Sequence, residues 1–195
     1  MKSICGDIGG THDDLAVVEG GEILFHQQRE SRSQHRFIDY LKQFIQQAND
    51  RGLEAGRACF AAAGPVKDGA VELTHTDLRV DRQQIASSTD LSEVKVVNDF
   101  TAFTDATQVV DENQLKHLQK GEERSVDTVS VIGAGTGLGK GVLVGTRKGH
   151  RHVESEGGHA AAPVRPRDGE LHSFLMDRTG RVPVQEDFLS GRGLK

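Results

Sequence analysis

Short apolar-rich runs broken by glycines fill the first thirty or so residues. Ser3-Ile-Cys-Gly-Asp7, Asp14-Leu-Ala-Val-Val18 and Ile23-Leu-Phe-His-Gln27 each read as a strand, and Ile8-Gly-Gly-Thr-His12 and Glu19-Gly-Gly-Glu22 read as turns between them. That order predicts an antiparallel meander. The period then lengthens. Phe37, Leu41, Phe44, Ile45 and Ala48 recur at spacings of three and four, which predicts an amphipathic helix over 33–49 covering the sheet. Ala58-Cys-Phe-Ala-Ala-Ala63 is a buried strand closed by Gly64-Pro65, and Asp68-Gly69 is a hairpin turn leading into Ala70-Val-Glu-Leu73. A polar turn, 87–92, precedes a β-branched strand over 94–97. That strand ends on Asn98-Asp99, and an apolar, helix-compatible run follows in Phe100-Thr-Ala-Phe103.

Residues 107–127 are polar and read as the passage into a second domain, with Leu115 and Leu118 permitting a short helix. A strand over 126–132 then feeds Gly133-Ala-Gly-Thr-Gly-Leu-Gly-Lys-Gly141, and Val142-Leu-Val144 is the next strand. The second half thus opens as the first did, on strand, Gly-Thr turn, strand. A helix over 170–177 is expected to turn Leu171, Phe174 and Leu175 to the core, and a short helix within 180–191 to close on Gly191. The pattern predicts an α/β chain in two lobes, 1–108 and 109–195.

Composition removes several classes. Of 195 residues, 27% are charged and 35% hydrophobic, as in a soluble globular protein. The net charge is −5 with no basic block, which argues against nucleic acid as a partner. No apolar run approaches the roughly 18 residues of a membrane helix. Met1-Lys-Ser-Ile-Cys-Gly-Asp lacks the apolar stretch of a signal peptide. Cys5 and Cys59 lie in apolar runs without motif spacing, which predicts buried, reduced thiols and a cytoplasmic protein; a disulfide would need their strands to be neighbours.

Three segments carry candidate chemistry. A carboxylate at the C-terminal end of a buried strand sits where open α/β sheets bind ligands. Asp99 there can take a proton from a hydroxyl that Asn98 positions, or the pair can simply cap the next helix. Asp7-Ile-Gly-Gly-Thr11 lies on a hairpin, which excludes the dinucleotide fingerprint and the Walker loop, since both need a following helix. Its glycines and Thr11 hydroxyl can cradle a phosphate, and an ordinary hairpin tip accounts for the glycines equally well. The Gly133–Gly141 run also lies between strands and fails G-x-G-x-x-G spacing. His150-Arg-His-Val-Glu-Ser-Glu-Gly-Gly-His159 has metal-binding residue types but no zinc-site spacing, and reads as a solvated loop.

Taken in order, Asp7-Ile-Gly-Gly-Thr11, Ala63-Gly-Pro-Val66, Leu73-Thr74, Asn98-Asp-Phe100, Gly133-Ala-Gly-Thr-Gly-Leu-Gly139, Glu156-Gly-Gly-His159 and Glu186 with Leu189-Ser-Gly191 resemble the bacterial glucokinases of the actin-like ATPase (ribonuclease H-like) superfamily. The resemblance implies two ribonuclease H-like lobes, a mixed sheet with an antiparallel meander and flanking helices, and MgATP and glucose bound in a cleft. It implies ATP-dependent phosphorylation of glucose to glucose 6-phosphate, with Asp99 as general base on the 6-hydroxyl. Asn98, Glu156, His159, Glu186 and His75 would contact a hexose. Asp7 would orient Mg²⁺, through water. Gly9, Gly10, Thr11, Gly135, Thr136 and Gly137 would serve the phosphates. Because members of this family run well beyond Lys195, the chain is expected to be truncated and to form a homodimer.

Some positions depart from the family pattern. Gly-Gly-Thr is usually followed by Asn-Ala-Arg-Leu; here it is His12-Asp-Asp-Leu15, and Asp14 can bring negative charge toward phosphate. His75 and Leu78 stand where the family has Asn and, shortly after, Trp, and Ala160-Ala-Ala162 replaces Val-Asp-Phe. A homologue that binds sugar without transferring phosphate is the alternative. A sugar-responsive transcription regulator on the same fold would need a helix-turn-helix, whereas the chain opens on a strand.

Overall fold

The computed structural model describes residues 1–9, 12–30, 34–73 (the backbone alone for 34–36), 78–119, 128–135, 137–147, 149–153, 155–191 and 193. The chain divides into two compact units, Met1–Ala102 and Phe103–Lys195.

In the first unit, β1 (Ser3–Ile8), β2 (His12–Glu19) and β3 (Glu22–Glu30) form the expected meander. Gly20 and Gly21 join β2 to β3 with φ of 61° and 88°, the positive values a two-residue hairpin turn requires. Helix α1 (Gln34–Asn49) follows, then β4 (Arg57–Ala62), a small sheet of β5 (Val66–Lys67), β6 (Ala70–Glu72) and β7 (Arg79–Asp81), helix α2 (Arg82–Ser88), β8 (Glu93–Asn98) and α3 (Asp99–Ala106). The main sheet runs β3-β2-β1-β4-β8, and β1, β4 and β8 are parallel.

One face of this sheet is covered. Ile4, Ile8, Leu15, Val17 and Phe60 alternate toward it and pack with Phe37, Leu41 and Phe44 of α1. The Phe37 and Phe60 rings meet edge to face, with centroids 5.8 Å apart. Gly6 is required at this contact, because a Cβ there would lie 2.6 Å from the Phe60 ring. Helix α2 starts where Asp81 accepts the N–H groups of Gln83 and Gln84, and it takes in Ser87 and Ser88 of the expected polar turn.

The opposite face of the sheet carries Cys5, Asp7 and Cys59. Cys5 is exposed and Cys59 half-buried, against the expectation of buried thiols. The alternation of β1 decides this: Ile4, Gly6 and Ile8 take the covered face and leave Cys5 and Asp7 on the other.

The second unit holds a second meander, β9 (Thr128–Ala134), β10 (Leu138–Thr146) and β11 (Gly149–Val153), then α4 (Gly169–Thr179) and α5 (Gln185–Leu189). Several expectations are corrected here. The 150–159 stretch is not a solvated loop: its first part is β11 and its end a 3-10 turn, Gly157–His159. Leu115 and Leu118 are exposed and lie outside any helix, the nearest being a 3-10 turn at Glu112–Gln114. On α4 only Leu175 is buried; Leu171 and Phe174 are 51% and 55% exposed, because few described elements of this unit pack on the helix. Helix α5 stops at Leu189, before Gly191, and Gly180 (φ 67°) instead closes α4 by donating its N–H to Met176 O.

Candidate functional site

Each unit supplies a set of candidate residues. In the first unit, Ile8, Ala62 and Asn98 are neighbours in the β1-β4-β8 register, so the carboxyl ends of three parallel strands form one edge. Asn98 ends β8 and Asp99 begins α3. Asn98 Oδ1 accepts the Thr101 N–H at 2.9 Å, and its Nδ2 donates to Gly64 O at 3.0 Å. The amide therefore caps α3 and also anchors the turn after β4. Gly64 has φ 151°, and a Cβ there would sit 2.9 Å from Glu72 O, so this turn needs glycine. Asp99 Oδ1 accepts the Phe100 N–H at 2.8 Å, which fixes one side of the carboxylate.

Asp7 lies near the end of β1 on the uncovered face. Burial raises its carboxyl above the usual range, and the charges of Asp99, Asp14 and Asp13 add to that. Asp7 and Asp99 thus share one electrostatic field within this unit. Asp14 pairs with Asp7 across β1–β2 and shares its face. It lies 2.7 Å from His26 Nε2 and accepts from Gln28 at 3.0 Å. Burial works against its charge, yet those hydrogen bonds and the His26 and His12 charges hold its carboxyl below the usual range. The Gly9 N–H donates to His12 O at 3.0 Å and so helps close the β1–β2 turn. Gly10, Thr11, His75 and Thr136 lie outside the described residues.

In the second unit, the turn between β9 and β10 is closed by Gly135 N–H to Gly137 O, 2.9 Å, and tied to the chain's end by Gly191 N–H to Gly135 O, 2.8 Å. Glu186, on α5, accepts the Leu138 N–H through Oε2 at 2.9 Å. A Cβ on Gly137 would be 2.5 Å from that same oxygen, so glycine lets the carboxylate approach the turn. The His159 ring stands between two carboxylates, Nδ1 3.6 Å from Glu156 and Nε2 3.8 Å from Glu186. Glu156, His159 and Glu186 are therefore gathered beside the Gly135–Gly137 turn. Carboxylates in such a group offer several directed acceptors to a polyhydroxylated ligand.

Two features were not anticipated. Asp13 is 0% exposed and paired with Arg29 at 3.1 Å; its signal is parity with Leu15 and Val17 on β2, which turns it inward. The Lys140 ammonium donates to Gln185 Oε1, joining β10 to α5, and no local pattern marks that pair.

The glucokinase family model matches residues 4–195. The chain belongs to the glucokinase family. It is 32% identical to the glucokinase of Nostoc sp. over 98% of its length, which is 58% of that relative. Among solved structures, a glucokinase from an Antarctic psychrotroph superposes with TM-score 0.79 at 27% identity, covering 99% of this chain and 62% of the other. A ROK family glucokinase from Streptomyces griseus, in complex with glucose and AMPPNP, gives TM-score 0.60 at 26% identity over 84% of this chain and 51% of that one. The fold is that of the ROK sugar kinases of the actin-like ATPase superfamily. This glucokinase-family chain spans somewhat more than half the length of the curated relatives it matches. No helix among its described residues is long and apolar enough to cross a membrane.

Proposed function

We propose that this chain carries the sugar- and phosphate-handling half of an ATP-dependent glucokinase that converts glucose to glucose 6-phosphate. The observation that supports this most is the strand edge where Asp99, braced by the Phe100 N–H, opens α3 within the field of Asp7. Asp99 would accept the 6-hydroxyl proton as that oxygen attacks the γ-phosphoryl group. Such transfer depends mainly on alignment and charge stabilisation. Asn98 would hold the start of α3 and the Gly64 turn in place for a sugar hydroxyl. Glu156, His159, Glu186 and His75 would bind further hydroxyls. Gly10, Thr11, Thr136 and Gly137 would serve the phosphates, with Gly9 and Gly135 shaping the two turns.

A Mg²⁺ ion fits this donor set. The charges of Asp99, Asp14 and Asp13 all act against ionisation of Asp7, a field that a cation relieves. The described residues contain no cage of three metal-binding side chains, and Mg²⁺ characteristically keeps several waters and takes one or two carboxylates plus phosphate. Asp7 would hold it through water, and it would supply charge neutralisation on the phosphates. Cytoplasmic location and self-association complete the proposal; exposed Ile132 supports the latter.

One observation favours a second reading, a homologue that binds sugar without transferring phosphate: Asp14 stands on the face and row of Asp7, adding negative charge beside the first turn. A coupled assay for ADP release separates the two. Asp99→Asn is expected to lower kcat by about 10²–10⁴-fold with little change in glucose KM, and Asp14→Asn to lower the KM for ATP. Glucose binding without turnover in the wild-type chain, with turnover gained by Asp14→Asn, would select the second reading.

A further inference from the structure

Cys5 and Cys59 are register partners on the neighbouring parallel strands β1 and β4. Such partners point to the same face, and the strand spacing of about 4.8 Å falls within the roughly 4.4–6.8 Å of Cα separation that a disulfide spans. Both thiols are free. Both lie on the face away from α1, opposite to Ile4, Ala58 and Phe60, and Cys5 is exposed there. Their row continues to Ala16 on β2 and Lys95 on β8, and Asp7 with Ala61 forms a row two residues further along the strands.

We propose that Cys5 and Cys59 form a dithiol modification site that a low-molecular-weight disulfide of the glutathione class oxidises to a disulfide between the strands. The Cys5 thiolate, the more exposed, attacks one sulfur of the small disulfide, forming a mixed disulfide and releasing one thiol. The Cys59 thiolate then attacks the Cys5 sulfur. The Cys5–Cys59 bond forms, the mixed bond breaks, and the second small thiol leaves. Two protein thiols are oxidised, the external disulfide is reduced to two thiols, and the two cysteine protons end on those leaving groups. The bond is reversible, because Cys5 lies exposed to an attacking thiol. Burial raises both thiols, opposed by Arg57 beside Cys5 and Lys95 beside Cys59, so the exchange calls for a mildly alkaline buffer. The proposal is independent of the sugar-kinase reading, because it needs only the β1–β4 register.

The test incubates the reduced 195-residue chain with oxidised glutathione, quenches in acid, alkylates with N-ethylmaleimide, and reads intact mass and a non-reducing peptide map. The expected product has lost two hydrogens, takes no alkylation, carries no glutathione, and yields the Cys5 peptide linked to the Cys59 peptide. Cys5→Ser and Cys59→Ser should each stop at a single glutathione adduct. Retained glutathione on the wild type, alkylation of both sulfurs, or linkage only between chains would overturn the proposal. If the serine variants do not fold, phenylarsine oxide on the wild type replaces them, because trivalent arsenic bonds two neighbouring sulfurs with release of water. One arsenical bridging both cysteines is expected; failure to take it up overturns the proposal.

Discussion

The two units open on the same three-stranded meander but differ in what lies beneath it. In the first, the meander shares a sheet with β4 and β8 and rests on α1, giving a continuous core from Ile4 to Val96. In the second, the buried apolar side chains among the described residues are Leu138, Leu143 and Leu175, while Ile132, Leu171, Phe174, Met176 and Leu189 are exposed. Since apolar burial is the main stabilising term, the first unit can hold Asp7, Asn98 and Asp99 rigidly. The second holds Glu156, His159 and Glu186 mainly through polar ties such as Glu186 to Leu138 and Gly191 to Gly135. Proton abstraction needs the tighter geometry, and the residue proposed for it sits on the better-packed unit.

The largest expected effect that would test this contrast is a pair of truncations. Phe60→Ala should cost about 3–5 kcal/mol, and Phe174→Ala should stay within about 0.5 kcal/mol, both read from urea unfolding. Equal losses would break the comparison, since Phe174 would then be packed as a core residue.

A smaller effect is expected at Gly158. A Cβ there would lie 2.0 Å from the Leu138 carbonyl oxygen, a backbone atom that no rotamer change can move. Gly158→Ala should cost about 1–3 kcal/mol as an overpacking change. Hydrogen exchange should quicken in 138–146 and leave α1 unaltered; loss of protection in α1 would show that the two units unfold together.

The smallest concerns Asp7. Its carboxyl is raised first by burial, then by Asp99, Asp14 and Asp13. A raised carboxyl contributes stability below its unfolded pKa and loses it as pH rises through the folded value. The ionised form of Asp7 therefore costs stability, and Asp7→Asn should raise the Tm slightly while weakening MgATP binding. The Tm gain should shrink as pH falls into the ordinary carboxylate range. A variant that melts lower than wild type at pH 7 would contradict this.

Much of the fold was legible because the first unit obeys simple periods. The alternation of β1 and β2 and the three-four spacing of α1 follow directly from which faces meet the core. The two-residue turns at Gly20-Gly21 and Asp68-Gly69 announce themselves through residues that tolerate positive φ. Legibility fell where tertiary context decides. Helix α2 depends on a single cap, Asp81, and the exposure of Leu171 and Phe174 depends on what packs against α4. The candidate site was legible as a set of motifs, and so was the placement of Asn98 and Asp99 at a strand-to-helix junction. The engagement of Gly9 and Gly135 N–H groups within their own turns was not, because short-range sequence does not say where a backbone donor points. Nor was the inward turn of Asp13, although its parity with Leu15 carried the information.

The most direct measurement is a calorimetric titration of the 195-residue chain with glucose, with Asp99→Asn and Glu156→Gln alongside. The account predicts saturable binding by the wild type. It predicts a loss of about 10–100-fold in affinity for Glu156→Gln, the scale of a hydrogen bond to a charged group, and a smaller loss for Asp99→Asn. No binding of glucose or related hexoses by the folded chain, or equal affinity in all three proteins, would contradict it.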